Sequence, residues 1–166
     1  MDIAFRQLPN ARRVGFVFDP PTDVEVRPGD GSVHCSQVRG DGRPIGELDV
    51  AVFQAALVID RDGILEEKVH EAAIAEHGRV TPAIPVSLPG ASGYRAEVER
   101  VRGALPYVYV FAIAPHDLGV QGGVIVTVRC ATPEWPAADA ILRSLRILVR
   151  GGVTANDGSS GDHSDS

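Results

Sequence analysis

The sequence predicts an α+β protein, a twisted antiparallel sheet flanked by two main helices. Three observations carry this: a run of period-2 and all-apolar segments over 94–130, an amphipathic segment directly after it, and a second amphipathic segment over 63–77.

The stretch 92–149 organises the chain. Residues 94–100 alternate apolar and charged side chains (Tyr94, Ala96 and Val98 against Arg95, Glu97 and Glu99), as a strand with one covered and one wet face does. Residues 106–114 have no polar break, so they suit a central strand covered on both faces. Tyr107, Tyr109, Phe111 and Ile113 share one face, with Val108, Val110 and Ala112 on the other. Residues 123–130 form a third strand, and the Gly- and Pro-rich 115–123 makes the turn before it. The three runs read as an antiparallel meander. A helix over 133–149 follows, with Thr132 as N-cap, Pro133 first and Glu134 in the first turn. Its stripe is Trp135, Ala138, Leu142, Leu145 and Val149, and Gly151 and Gly152 end it. A stripe this long packs across one face of the adjacent sheet.

Upstream, Ile3 to Leu8 and Val14 to Phe18 read as strands, the second closed by Pro20 and Pro21. Asp23 to Arg27 suits an edge strand or extended loop, and the turn 28–31 leads to a strand over 32–38. After the turn 39–44, the apolar run 50–59 is read as strand; its alanines leave a helix open. The second helix covers 63–77, capped by Asp60 or Asp62 and closed by Gly78. Leu65, Val69, Ala72 and Ala73 face the core; Glu66, Glu67, Lys68, His70, Glu71 and Glu76 face water. Residues 80–88 place Val80, Pro82, Ile84, Val86 and Leu88 on one face, and their prolines confine the segment to an edge.

The 166 residues suit one domain over 1–150 and a disordered tail over 151–166. A net charge of −6 argues against nonspecific nucleic-acid binding, which needs a basic face. No apolar run is long enough to span a bilayer. The N-terminus lacks a signal peptide's basic and apolar regions, so the expected location is cytoplasmic, or secreted only if a leader has been removed. Two cysteines, Cys35 and Cys130, are too few for a disulfide framework. Lys68 is the sole lysine beside many arginines, a composition that suits a GC-rich bacterial genome.

Motifs with chemistry fail on spacing. Asp60-Arg-Asp62-Gly63 would need calcium ligands where Val58 and Val69 stand, so the carboxylates read as caps. Glu66 and His70 share a helix face, but His77 lies about 10 Å further by helix rise, and no third ligand is evident. Asp162-His-Ser164 has triad residue types in a flexible tail, and Gly90-Ala-Ser92-Gly93 is one residue short of a nucleophile elbow. Arg95, Arg100 and Arg102 would form an anion-binding face with Arg143 and Arg146. Glu97 and Glu99 beside the first group, and Asp139 beside Arg143, oppose that reading.

The turn at Gly93, the apolar strand 107–114 and the ending Ile141-Leu-Arg-Ser-Leu145 resemble the PsbP-like and Mog-type fold superfamily. Its bacterial branch includes LpqN-type lipoproteins and type VI effector chaperones. The chain lacks a lipobox cysteine near its N-terminus, a departure from the lipoprotein branch. The resemblance covers about the C-terminal two-thirds of the chain and transfers no site residue, and a shared fold does not by itself give a function.

The expected function is a non-enzymatic protein-binding module, an adaptor or chaperone-like protein without cofactor or metal. Its partner is another protein, including a second copy as a homodimer. The alternative is a small-molecule or lipid binder with a pocket between sheet and helix. A hydrolase with a site hidden from sequence is third. The candidate contact residues are Arg95, Tyr107, Tyr109 and Trp135. The 63–77 helix has a narrow stripe, so the sheet face under it is expected to stay partly open and to bind the partner.

Overall fold

The computed structural model describes residues 2–7, 12–54, 60–116 and 122–151. The tail over 152–166 and the second half of the run 50–59 lie outside them. Among the described residues the chain is mixed α+β, with two antiparallel sheets and two helices. No described helix is long and apolar enough to cross a membrane.

The large sheet contains β3 (Glu25–Gly29), β4 (Ser32–Val38), β5 (Pro44–Gln54), β6 (Arg79–Val80), β7 (Ile84–Leu88), β8 (Ala91–Glu99), β9 (Tyr107–Pro115) and β10 (Gly122–Cys130). Its order is β3-β4-β5-β10-β9-β8-β6, and β7 also pairs with β8. The predicted meander is present as β8-β9-β10. A smaller sheet has the order β1-β2-β11, from β1 (Asp2–Gln7), β2 (Arg12–Phe18) and β11 (Arg146–Gly151).

Side-chain alternation divides the large sheet cleanly. Val33 and Cys35 of β4, Leu48 and Val50 of β5, and Val124, Val126 and Val128 of β10 point into one core. Phe16 and Phe18 of β2, Trp135 and Ile141 close that core from outside. On the opposite face Val108, Val110 and Ala112 of β9 pack with Leu65, Val69 and Ala73 of α1 (Arg61–Ile74). These six side chains are at most 1% exposed, so the narrow stripe closes that half of the face fully. The expectation of a surface left open under this helix is therefore corrected.

α1 begins as predicted on Asp60, whose carboxylate accepts from the Gly63 amide at 2.9 Å. Its end differs. Ala75 is the C-cap and His77 takes the left-handed φ of 58°, not Gly78. Gly78 serves close approach instead, because a Cβ there would fall 2.5 Å from the Glu99 carbonyl oxygen. The predicted edge segment 80–88 is split into β6 and β7 around Pro82, which cannot donate to β8. Thr81 bridges the gap: its amide donates to the Glu97 carbonyl, and its hydroxyl accepts from the Glu97 amide at 3.0 Å. Pro82 and Ile84 are exposed, so they do not share a buried face with Val80.

The largest correction concerns the C-terminus. The helix, α2 (Pro136–Ser144), is nine residues long, against the predicted 133–149. It starts late because a residue before proline is pushed out of the helical region. Trp135 is extended (φ −136°, ψ 101°), and Pro136 opens the helix. Thr132 caps nothing; its hydroxyl donates to the Glu134 carbonyl. The helix stops at Ser144, whose Oγ donates to the Ile141 carbonyl at 3.0 Å and accepts from the Asp19 amide at 2.9 Å. Leu145 is extended (ψ 129°) but still fully buried. From there the chain runs as β11 against β2, Arg146 opposite Val17 and Val149 opposite Val14. The β-branched Ile147 and Val149 suit a strand, and pairing with β2 gives each strand a hydrogen-bonded neighbour.

Candidate functional site

The face of β8 and β9 that carries Tyr107, Tyr109 and Phe111 is covered only in part. All three rings are half-buried, whereas Ile113, further along, is fully buried. The result is an open groove between the start of α2 and the two strands. It holds two adjoining hollows, of about 320 and 410 Å³, which share Glu97, Tyr109 and Pro133.

The four residues singled out from sequence all reach this groove, in different roles. Tyr107 lines the first hollow and Arg95 the second. Tyr109 divides them, with its hydroxyl donating to the Pro133 carbonyl at 2.7 Å. Burial, then the neighbouring Cys130 and Glu97, push its phenol upward, so it remains a neutral donor at physiological pH. Arg95 lies 3.7 Å from Glu97. Trp135 is only 3% exposed and acts as a wall, its indole N–H donating to Gln37 Oε1 at 2.7 Å. Gln37 is held in turn by a bond from its Nε2 to Asp23.

The five arginines considered as one anion-binding face do not come together. Arg100 turns away to Glu76 (3.7 Å) and donates to the Leu105 carbonyl. Arg146 donates to the Arg143 and Leu145 carbonyls at the end of α2. Arg102 is exposed in the loop after β8. Asp139 and Arg143 form no ion pair within 4 Å in the structure, although their spacing allowed one.

Sequence reasoning missed a charged network on the opposite sheet face. Arg129 of β10 binds Glu76 in a two-bonded fork (2.7 and 2.9 Å) and donates to Asp49 Oδ2 at 2.8 Å. The other Asp49 oxygen accepts from His34 Nδ1 at 2.6 Å. The Arg129 hydrogen bonds, and then Arg129 and Arg100 charge, hold Glu76 below the ordinary carboxylate range against its burial. The signal was weak: Arg129 merely alternates with Val128 and Cys130, and Glu76 looked like one more solvated helix carboxylate. Its side chain is 12% exposed, which corrects that assignment. The two hollows of the groove are not lined by His34, Asp49 or Arg129, and among the described residues no three His, Cys, Asp or Glu side chains are grouped closely enough to hold a metal ion. The pair Asp49–His34 has the residue types of two members of a catalytic triad, with side chains 38% and 37% exposed.

No protein-family model matches the chain, and no curated protein does. A solved structure from Bacteroides thetaiotaomicron VPI-5482 aligns over 88% of the chain at 11% identity and a TM-score of 0.37. The chain spans about half of that structure (48%).

Cys130 lies at the floor of the second hollow, 1% exposed, and burial followed by the Asp139 charge pushes its thiol up to about 11. A thiol protonated at neutral pH is a poor nucleophile. Cys35 is fully buried. We expect native protein to resist maleimide labelling at pH 7 and to take up two equivalents only in denaturant. Rapid labelling of Cys130 in the native state, followed by mass spectrometry, would contradict this.

Proposed function

We propose that this chain is a non-enzymatic protein-binding module, adaptor or chaperone-like, that engages its partner through the groove between α2 and the β8–β9 face. The observation that carries the reading is the half-covered aromatic row Tyr107, Tyr109 and Phe111 in the middle of an otherwise closed core. Aromatic rings rimmed by charge are the composition of recognition surfaces. The resemblance to PsbP-like and Mog-type proteins belongs to the same proposal, and the antiparallel sheet with Tyr107–Pro115 as an inner strand supports it. The alternative, a small-molecule or lipid pocket, has less support. The hollows lie at the small end of the range for ligand pockets and are bordered by exposed carboxylates, which disfavour a lipid chain.

Co-purification from the native host tests this with wild type, Tyr109→Ser and Glu134→Arg chains. We expect one stoichiometric partner on wild type and its loss from both variants, with the melting temperature of Glu134→Arg unchanged because that side chain is exposed on the rim. A partner retained equally by all three would move the interface elsewhere.

A further inference from the structure

The two hollows are related by a step along the strands. Moving from the first to the second goes from Glu99 through Glu97 to Arg95 on β8, and from Tyr107 through Tyr109 to Phe111 on β9. Each step is two residues, or about 6.6–6.8 Å of strand rise. That is also the spacing of side chains i and i+2 on one face of an extended peptide. A polypeptide lying along the groove therefore meets the hollows in register with its own alternation.

The charges around the groove are unbalanced. Glu97, Glu99, Glu134 and Asp139 contribute four carboxylates, against the guanidinium groups of Arg79 and Arg95. Arg95 is already paired with Glu97. Glu99, Glu134 and Asp139 are exposed and enter no ion pair with another described residue. Beneath them lie the half-exposed aromatic rings, whose faces attract cations. Acid above and aromatic below is complementary to Arg or Lys and repels Asp or Glu.

We propose that the occupant is an extended segment of a partner protein with Arg or Lys at alternate positions, one basic side chain in each hollow. This rests on the protein-binding reading above. Residues 152–166 do not have the required chemistry, since they carry Asp157, Asp162 and Asp165 and no Lys or Arg. The segment lies on the sheet face and not against its edge, so side chains carry the recognition and backbone pairing is not required.

The test uses the full chain and three capped peptides. One is acetyl-Gly-Thr-Arg-Thr-Arg-Thr-Gly-amide; the second has Glu in place of Arg; the third has the two Arg adjacent. The indole N–H resonance of Trp135, the sole tryptophan, reports binding in the adjoining wall. The alternating Arg peptide is expected to shift it saturably and to bind more tightly than the other two. Raising salt should weaken that binding, since the charges are exposed. The variant Glu134→Gln with Asp139→Asn should weaken it about three- to tenfold, the effect of two rim charges. Both positions are exposed, so the fold is retained, and an unchanged melting temperature checks this. Equal or tighter binding of the Glu peptide overturns the proposal, as does indifference to the double substitution. Failure of all three peptides, or a concentration-dependent dimer that protects the groove, overturns it too. Loss of the co-purified partner in Tyr109→Ser, with any of those results, would leave the protein-binding reading standing alone.

Discussion

Trp135→Ala is expected to destabilise the protein by about 3–5 kcal/mol, the cost of removing a large buried aromatic side chain without refilling its space. The indole is 3% exposed and packs in the core shared by the two sheets. Its contact with β5 is close: a Cβ placed on Gly46 would fall 2.5 Å from two ring carbons. Its N–H donates to Gln37, so truncation also leaves that amide oxygen without its donor. In a domain of this size such a loss lowers the melting temperature by about 6–20 °C. Gly46→Ala attacks the same contact from the other side and should destabilise as well. The double variant should lose less than the sum, because the cavity admits the new methyl group. Urea or thermal melts on the four proteins decide the matter. An unchanged midpoint for Trp135→Ala would mean the ring is not packed as described, and it would then count among the groove's contact residues.

The strands of the meander were legible because alternation reports burial directly. The pattern over 106–114 announced a strand covered on both faces, and both faces are covered, one fully and one in part. The site was legible to the extent that it uses aromatic residues on that strand. What misled was the segment 145–149. Leu142, Leu145 and Val149 fit a helical stripe, but Leu145, Ile147 and Val149 equally fit a period of two. Periodicity alone cannot separate these over so few residues. Long-range pairing with β2 decided it, and no local signal contains that information. The open surface was expected under the 63–77 helix, whose stripe looked narrow; it lies instead beside the start of α2, on the face of β8 and β9. Glu76 was hidden for a related reason. Whether a helix carboxylate meets solvent or an arginine 53 residues further along the chain depends on the packing of α1 against β10.

Replacing Arg129 should have the other large effect, about 2–4 kcal/mol for Arg129→Met. The guanidinium links Glu76 at the end of α1 to Asp49 of β5, with its side chain 21% exposed and that of Glu76 12%. Removing it leaves two partly desolvated carboxylates facing each other without their cation, which costs more than the pair itself contributes. Combining it with Glu76→Leu should recover part of the loss, because one of the stranded charges goes too. Asp49 keeps the remainder. The pair also predicts a pH dependence with a definite sign. The carboxyl of Glu76 is held below its ordinary 4.5 in the folded state. Its contribution is then fully present above pH 4.5 and is lost as the pH falls through the lower folded value. Wild-type stability should therefore decline below pH 4.5, and the decline should be shallower in Glu76→Gln, which is less stable at neutral pH and has no such proton to take up. Denaturant midpoints at pH 7 and at several points below 4.5 measure both. Parallel curves for wild type and Glu76→Gln would show that Glu76 does not carry the acid sensitivity, and a neutral Arg129→Met would show that the fork contributes nothing net.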